Sequence, residues 1–561
     1  MAPNIAGAAG AVPFSGEDPA TGTRTVTIAD ITDFHGHIEH GADVAAAFTL
    51  ADSHNPDNMV PVSTGDLVGG SPYESAVKQD KPTLDMAKVW GLTVSAVGNH
   101  EFDRSVADFN NRVAAPANGI DWLCANVSSA NKSATGKLSH VKDYTIRTVN
   151  GKRIGFVGAL TDALGSVATP QITEDANLSE RAVDALNRVA GELKRSGKVD
   201  AVVALLHADA SAATGLGRDV DLAYTGHTHA VKQGVADGGA PIYEAGSFGQ
   251  NMAVQDLIIT GHGRHAKVQV ADVNLGNGTE ATAVPGVLNV EGLDAHPRQA
   301  AWMSAGVVSN GSVARSRQLY TKAKDYAASA GNAVIGTLAP GTNFDKRTSV
   351  GHEGSVGMLV ADANRESIMR NVYAGTRLPV VGFSNNGSLR TKQLDMDEDG
   401  KVTIREVDSL MALQFHAAHE TLTGLGLKAV LAQQFHRNDD GELEHRWLGI
   451  SSNVRYRYVQ CGDGGATCTL GDSDGNGNQH TGVKATVGIV DLTIDGRPIA
   501  DDDLVIIASN SYLLQGGDNY SAFRAGSNYG ELEMSYNQPL HEYLAAHPKL
   551  SAAVPETGTR A

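Results

Sequence analysis

Short runs of apolar and β-branched residues recur through the first half of the chain, and polar residues close each run. Such runs are typical of buried strands. They lie at residues 23–31, 59–64, 91–97, 201–206 and 222–225. Helical patterns separate them, for example at residues 83–90 and 179–196. This alternation predicts a layered α/β domain.

The third run leads directly into Gly98-Asn99-His100-Glu101-Phe102-Asp103. Open α/β sheets place their chemistry at the carboxyl ends of their strands, and this segment follows such an end. The oxygen of Asn99 and a nitrogen of His100 can each bind a divalent metal ion. Asp103 is suited to orient His100 and to stabilise its charge. Taken alone, the segment is better explained by a turn with a hydrogen-bonded histidine.

The other runs end in the same types of side chain. Asp33 and His35 are two residues apart, which places both on one face of an extended segment. Asp66 follows a glycine that lets the backbone approach the same point, and its two oxygens can bind two ions. The candidate metal ligands outside the third run are Asp33, His35, Asp66, His207, His227 and His229. Each cluster is a weak signal by itself.

Length and charge limit the classes of protein. A chain of 561 residues is too long for one hydrophobic core, so two domains are expected. A formal charge of −18 argues against nucleic acid as a partner. It leaves room for a small phosphorylated substrate, because bound cations can invert the local field. The sequence contains no run of eighteen apolar residues, so no transmembrane segment is predicted.

The second half of the chain carries its own motifs. Residues 380–384 read as a strand that leads to Asn385-Asn386-Gly387-Ser388-Leu389-Arg390, and residues 504–510 read as a strand that leads to Tyr512 and Gly516-Gly517-Asp518. A long helical pattern before them separates the two halves. We predict a flexible tail at 1–22, a catalytic domain at 23–296, a helical connector at 297–330, a substrate-binding domain at 331–550 and a tail at 551–561.

An acidic segment in the second half matches the twelve-residue EF-hand calcium loop. The residues at its ligand positions are Asp395, Asp397, Asp399, Lys401, Thr403 and Glu406, with Gly400 at the turn. We predict one structural calcium ion here. The alternative is an acidic hairpin turn.

The three cysteines and the amino terminus bear on the cellular compartment. Cys461 and Cys468 flank a small, flexible loop and are predicted to form a local disulfide, whereas the alternative is three unlinked thiols. Residues 1–20 lack the basic start and apolar core of a secretory signal. Either the protein stays inside the cell, or this chain begins after a removed signal.

The five clusters in the first half, in the order Asp-x-His, Gly-Asp, Gly-Asn-His-Glu, His and Gly-His-x-His, resemble the calcineurin-like metallophosphoesterases. The form of the segment 98–103 is similar to the 5′-nucleotidase branch. The motifs at 385–390 and 512–518 resemble those of the carboxy-terminal domain of bacterial 5′-nucleotidase/UDP-sugar hydrolases and ecto-5′-nucleotidases. The resemblance covers nearly the whole chain. It implies a two-domain α/β protein: a four-layer α/β/β/α sandwich followed by a carboxy-terminal α+β nucleotide-binding domain.

The resemblance implies a dinuclear metal site. One ion would be held by Asp33, His35 and His229, and a second by Asn99, His207 and His227, with Asp66 bridging both. Two cations polarise phosphoryl oxygens and lower the pKa of a bound water, which then attacks phosphorus in line. His100, paired with Asp103, would stabilise charge on the phosphoryl group or protonate the leaving oxygen. Mn²⁺, Zn²⁺, Fe²⁺ and Co²⁺ all suit these ligands.

The resemblance also implies a nucleoside pocket. Tyr512 and Phe415 would sandwich the base, Asn385 would touch its edge, and Arg390 and Asp518 would bind the ribose side. Broad nucleoside selectivity is expected, because every base offers a π-face. The sequence departs from the family pattern around Phe415 and around 352–355, where family members often carry a substrate-binding arginine.

These implications predict a secreted-type enzyme that hydrolyses nucleoside 5′-monophosphates, placed outside the cytoplasm as a monomer or homodimer. A UDP-sugar hydrolase or a 2′,3′-cyclic nucleotide phosphodiesterase would use the same metal site. The alternative from another class is a nucleotide- or metal-binding protein without turnover. The intact His100, Asp103 and Asp66 argue against it, since a binder has no need of the His-Asp pair. The two domains are expected to approach each other across the connector.

Overall fold

A computed structural model describes residues 17–18, 22–275, 280–295, 310–346, 354–437, 443–460, 472–473, 479–480, 487–551 and 558–560. The chain divides into two compact units. The first comprises the residues up to Leu164 together with Gln171–Asp325, and the second comprises Gly165–Pro170 together with the residues from Tyr326 onward. The division falls inside a helix, Asn310–Gly331, that lies in the predicted connector. The finer domain boundaries stay a prediction.

Sixteen strands are described before residue 295. They are β1 (Glu17–Asp18), β2 (Thr23–Ile31), β3 (Met59–Ser63), β4 (Val94–Ala96), β5 (Asp121–Leu123), β6 (Val141–Lys142), β7 (Tyr144–Val149), β8 (Lys152–Leu160), β9 (Ala201–His207), β10 (Leu222–Thr225), β11 (Val231–Val235), β12 (Pro241–Ala245), β13 (Asn251–Thr260), β14 (Lys267–Asp272), β15 (Glu280–Ala281) and β16 (Val287–Asn289). One sheet has the order β15-β16-β13-β2-β3-β4-β5-β6, with β1 beside β2 and β14 beside β13. The other has the order β11-β12-β10-β9-β8-β7.

The helices in this part of the chain are α1 (Gly41–His54), α2 (Tyr73–Ala76), α3 (Lys81–Trp90), α4 (Val106–Asp108), α5 (Leu164–Val167), α6 (Pro170–Ala176), α7 (Ala182–Arg195) and α8 (Asn310–Gly331). Helix α3 ends at Gly91, whose left-handed backbone caps it. The strand that follows is therefore shorter than the predicted run 91–97 and contains only Val94–Ala96.

Period-2 alternation explains how the two sheets pack. In β9, Val203 and Leu205 face the other sheet and join a core that includes Val26 and Ile28 of β2. The intervening residues Val202, Ala204 and Leu206 face α7 instead. Helices α1 and α3 pack against each other beside the first sheet, where the Trp90 indole donates to the Gly41 carbonyl (3.0 Å). The layers are helix, sheet, sheet and helix, as predicted.

The strands of the second unit are β17 (Val334–Thr337), β18 (Val380–Asn385), β19 (Lys401–Thr403), β20 (His416–Thr423), β21 (Phe435–Arg437), β22 (Leu443–His445), β23 (Leu448–Ile450), β24 (Val454–Gln460), β25 (Asp472–Ser473), β26 (Gln479–His480), β27 (Val487–Ile494), β28 (Arg497–Pro498), β29 (Leu504–Asn510), β30 (Ser527–Ser535) and β31 (Gly558–Arg560). Its helices are α9 (Ser355–Asn371), α10 (Ile404–Leu410), α11 (Gly424–Ala432), α12 (Ser511–Leu514) and α13 (Gln538–Ala546).

A five-stranded mixed sheet, β23-β18-β29-β20-β30, organises the second unit. Strands β18 and β29 are parallel neighbours, so Asn385 and Asn510 end on the same edge. Val505 and Ile507 pack towards the core that contains α11, whereas Ile506 and Ala508 pack on the other face with Ile368 of α9. The predicted mixed α/β, two-domain class is confirmed. No helix among the described residues is long and apolar enough to cross a membrane.

Strand β20 carries a buried carboxyl group. The side chain of Glu420 is 2% exposed, and its Oε1 accepts no hydrogen bond from the described residues. Burial raises the pKa of Glu420 to about 9. The folded state therefore keeps this group protonated over a pH range in which the unfolded chain ionises it.

Replacement of Glu420 by Gln is expected to change the pH dependence of stability. The protonated Glu420 carboxyl contributes its full stability to the folded state below the unfolded pKa of 4.5, and this contribution is lost as pH rises through about 9. Between these two pH values, the free energy of unfolding of Glu420→Gln rises relative to wild type by up to about 1.4 kcal/mol per pH unit. Urea unfolding at pH 5, 7 and 9 measures the difference. The exposed Glu533→Gln on β30 is the control, and equal slopes for both variants would contradict the assignment.

Candidate functional site

Five parallel-strand ends in the first unit carry the candidate metal ligands. Strands β2, β3 and β4 are successive neighbours in one sheet, and β9 and β10 are neighbours in the other. Because parallel strands present their carboxyl ends at one edge, the loops that follow them converge. The side chains on these ends are Asp33, His35, Asp66, Asn99, His207, His227 and His229. The structure brings all seven together.

Asp33, His35 and His229 form the first group, with ligand atoms within 4.8 Å of one another. Asp33 Oδ1 lies 3.5 Å from His229 Nε2 and 3.9 Å from His35 Nε2. The two histidine Nε2 atoms are 3.1 Å apart. Both Asp33 and His35 are fully buried. This set is the one that the resemblance implies for one ion.

Asp66, His207 and His227 form the second group. His207 Nε2 lies 3.2 Å from Asp66 Oδ2 and 3.1 Å from the Asn99 side-chain oxygen. The same Asp66 oxygen lies 3.6 Å from His35 Nε2. Asp66 therefore touches both groups, which is the position required of a bridging ligand.

Hydrogen bonds at the far side of two imidazoles select the nitrogen that faces the site. His35 Nδ1 lies 2.8 Å from the Gly69 carbonyl oxygen, and His207 Nδ1 lies 2.8 Å from that of Thr64. A carbonyl only accepts, so Nδ1 carries the proton and Nε2 offers its lone pair when the ring is neutral. Together with the carboxylates, these nitrogens form a donor set that fits divalent transition metals.

The backbone at these ligands is strained. Asp33, His35, Asp66, His227 and His229 all have left-handed φ values, between 45° and 76°. Such values are uncommon outside glycine and persist where the surroundings enforce them, most often at functional sites. Five of the seven candidate ligands share this feature.

The buried charges of the site shift the pKa values of its side chains. Burial opposes ionisation of His207, but the charges of Asp66 and Asp33 raise its pKa to about 10. Burial, followed by the charge on His207, lowers the pKa of His227 to about 4. Burial raises the pKa of Asp33 to about 7. A proton on His207 thus balances the buried carboxylates, and a cation bound there would displace it.

His100 and Asp103 lie beside the candidate metal ligands, and His100 itself forms a third candidate group with His35 and Asp66. His100 Nδ1 is 2.9 Å from Asp103 Oδ1, and the other Asp103 oxygen accepts the Gly70 N–H (2.8 Å). The His100 ring lies 4.8 Å from that of His35, and its side chain is 19% exposed. Asp103 therefore orients His100 next to the site while leaving it accessible to a substrate.

Two side chains next to the site were not among the residues predicted from the sequence. Glu101 is buried and accepts backbone N–H groups from the loop of Asp66. Phe248 lies against His229, with ring centroids 5.1 Å apart, and its N–H donates to the Asp33 carbonyl (2.8 Å). Glu101 was visible in the motif 98–103, whereas nothing in the sequence around Phe248 points to the site.

The second unit brings most of the predicted nucleoside-binding residues together. The Tyr512 hydroxyl donates to Asp518 Oδ1 (2.8 Å), and Asn385 Nδ2 donates to Asp518 Oδ2 (2.7 Å). Arg446, which the sequence reading did not single out, donates to the Asp518 carbonyl (3.2 Å). Arg390 follows the same loop as Asn385, and its N–H donates to the Leu410 carbonyl (2.8 Å).

Phe415 and Tyr512 stack directly on each other. Their ring centroids are 5.1 Å apart and their planes differ by 9°. A base between them would need about 7 Å, two stacking distances of about 3.5 Å. The two rings are therefore in contact with each other, and a sandwiched base would require them to separate.

The acidic loop at 395–406 directs its carboxylates to protein donors. Glu406 closes a capping box with Thr403 at the start of α10, and also accepts the Met396 N–H (2.8 Å). Asp397 pairs with Arg405 (2.6 Å), and Asp399 with Lys401 (3.1 Å). The described residues of this loop form no cluster of three ligand groups like those in the first unit. Calcium binding stays a prediction.

Two other predictions concern the disulfide between Cys461 and Cys468 and the segment 352–355. Cys461, Cys468, His352 and Glu353 lie outside the described residues. Cys124 is buried, and burial raises the pKa of its thiol to about 12. This thiol is therefore unreactive near neutral pH.

Comparisons with known proteins agree with this architecture. The family model described as 5′-nucleotidase, C-terminal domain matches residues 334–525. A cell wall protein of Listeria monocytogenes is 24% identical over 91% of this chain and 66% of its own length. Protein UshA of Yersinia enterocolitica is 27% identical over 33% of this chain and 34% of its own length. The chain thus spans about two thirds of the first relative and about a third of the second.

A solved structure has the same fold over both units. The 5′-nucleotidase precursor from Thermus thermophilus aligns with a TM-score of 0.65 at 15% identity, covering 96% of this chain and 99% of that chain. The match of the carboxy-terminal model and the likeness to UshA add sequence evidence to this shared fold. Residues 334–525 therefore belong to the 5′-nucleotidase C-terminal domain family, and the chain is similar in sequence to UshA and in fold to a 5′-nucleotidase.

Proposed function

We propose that this protein is a metal-dependent phosphoric monoester hydrolase that releases phosphate from nucleoside 5′-monophosphates. The observation that carries the proposal is the position of Asp66, whose Oδ2 lies 3.6 Å from His35 Nε2 and 3.2 Å from His207 Nε2, with the His100–Asp103 pair beside it. Two divalent cations, when bound to these groups, would polarise the phosphoryl oxygens and supply an activated water. Mn²⁺, Zn²⁺, Fe²⁺ and Co²⁺ remain the candidates.

His100 performs the proton chemistry in this proposal. Asp103 accepts the Nδ1 proton and fixes the ring, and the proposal assigns the proton transfer to Nε2. A protonated Nε2 can donate to a phosphoryl oxygen or to the leaving ribose oxygen. Asp103 then stabilises the charge that the ring carries before transfer. A binder without turnover would gain nothing from this pair.

The second unit recognises the nucleoside in this proposal. The rings of Tyr512 and Phe415 offer apolar faces to a base of any type. Asn385 and Asp518 already bond to each other, which fixes both side chains before a ligand arrives. The carboxylate of Asp518 has lone pairs left for ribose hydroxyls. Arg390 is assigned to the same side of the nucleoside on the basis of its motif.

The proposal extends to the setting of the protein. The Listeria relative is named a cell wall protein, which supports action outside the cytoplasm. The formal charge of −18 disfavours nucleic acid as a substrate. The partner is therefore a small nucleotide.

Metal removal is expected to abolish activity. Dialysis against EDTA should stop the hydrolysis of AMP, UDP-glucose and 2′,3′-cyclic AMP, and added Mn²⁺ should restore it. Metal content measured on the same samples gives the stoichiometry, which we expect to be two ions per chain. The ranking of the three substrates tests the nucleotidase assignment. Absence of turnover on all three, in protein that carries metal, would favour the non-catalytic alternative.

Replacement of His100 by Ala is expected to lower kcat by about 10²–10⁴-fold, the usual contribution of a general acid or base. Metal content and nucleotide affinity should remain near wild type, because His100 is outside the implied ligand sets. The exposed His262→Ala is the matched control. An unchanged kcat in His100→Ala would remove this residue from the mechanism.

Replacement of Tyr512 by Leu is expected to raise KM for AMP by about 5- to 150-fold, since stacking contributes about 1–3 kcal/mol per base. The value of kcat should change little, because the interaction is equal in the ground and transition states. Tyr512→Phe keeps the ring and loses only the hydroxyl with its hydrogen bonds to Asp518 and to the Ser166 carbonyl, so it should have the smaller effect. Equal losses in the two variants would show that the hydroxyl, and not stacking, is the contribution.

A further inference from the structure

We propose that Glu101 is a positioning residue that sets the geometry of the bridging ligand Asp66, and with it the affinity of both metal positions. This inference rests on the proposed metal site. Glu101 belongs to neither implied ligand set. Its influence would pass entirely through backbone amides.

Glu101 joins two loops that follow neighbouring strands. Its Oε2 accepts the N–H groups of Asp66 (2.9 Å) and Gly98 (2.6 Å). Its Oε1 accepts those of Leu67 (2.7 Å) and Val68 (3.3 Å). One carboxylate thus satisfies four amides that would otherwise be buried without a partner.

Water cannot replace these bonds. The side chain of Glu101 is only 2% exposed, and Asp66 is 1% exposed. An unsatisfied buried amide costs about 1–3 kcal/mol, so the four amides together hold both loops to this carboxylate. The loops also touch directly: a Cβ added to Gly98 would lie 2.2 Å from Asp66 Oδ1.

The bonds act on the residue whose backbone is under strain. Asp66 has a φ of 48°, and the N–H groups of Asp66 and Leu67, on either side of its Cα, both donate to Glu101. These bonds offset the cost of the left-handed conformation. The carboxylate of Asp66 is then oriented by the His100 N–H, which donates to Oδ1 (2.8 Å).

This arrangement leaves one Asp66 oxygen for the metal ligands. With Oδ1 taken by the His100 amide, Oδ2 is the oxygen that lies near His35 and His207. Glu101 also binds the amide of Gly98, immediately before the ligand Asn99. A change at Glu101 would therefore move a bridging ligand and a ligand of the second ion together.

The test is the isosteric variant Glu101→Gln. In this variant an NH₂ group replaces one of the two carboxylate oxygens. Each oxygen accepts two backbone N–H groups, so two of the four hydrogen bonds become contacts between donors. We expect the affinity for Mn²⁺, measured by calorimetric titration of metal-free protein, to fall about 10–100-fold at both positions. At saturating Mn²⁺, KM for AMP should stay within twofold of wild type, and kcat should recover most of its value.

Glu420→Gln is the matched control, because Glu420 is equally buried but lies in the second unit. It should leave Mn²⁺ affinity unchanged. If Glu101→Gln lowers the melting temperature yet binds Mn²⁺ like wild type, Glu101 is only structural and the inference is wrong. Should this variant fail to fold, Glu101→Asp, which keeps the charge but shortens the reach, must still weaken Mn²⁺ binding. Wild type that binds no Mn²⁺ would overturn the proposed function instead.

Discussion

The close approach of buried carboxylates at one sheet edge is the constraint on which the first unit depends. Asp33, Asp66 and Glu101 are almost completely removed from water, and burial together with the charge of Asp66 raises the pKa of both Asp33 and Glu101. Amide and imidazole donors offset part of the repulsion between these carboxylates: Glu101 takes four backbone N–H groups, and His207 lies against Asp66. The remaining negative charge makes this edge a candidate site for cations.

The same constraint explains the strained loops. A ligand that follows a strand by two or more residues must turn back towards the edge, and five ligands do so with a left-handed backbone. The sheets supply the rigid base for these turns, since the core between them is continuous from β2 to β9. The packing of the sheets thus holds these loops in a left-handed backbone conformation that an isolated loop would not keep.

The candidate site residues of the second unit also lie close to strand ends. In the proposed nucleoside pocket, Asn385 ends β18, and Tyr512 and Asp518 follow its parallel neighbour β29, whereas Phe415 precedes β20. Tyr512, Asp518 and Asn385 are linked by hydrogen bonds, so the polar side of the pocket is formed in advance. The aromatic pair is closed, which leaves the apolar side to be opened by a ligand.

The sequence by itself determined the layered class, the strands and the seven candidate ligands, because alternation along a strand and the residues after its end are local properties. It did not show that Glu101 connects two loops, that Phe248 lies beside His229, or that the rings of Phe415 and Tyr512 are in contact. It also did not show that Glu406, at a predicted calcium position, closes a capping box with Thr403 at the start of α10. These features depend on which distant groups meet, and only tertiary packing, which sets sheet order and loop contacts, decides that.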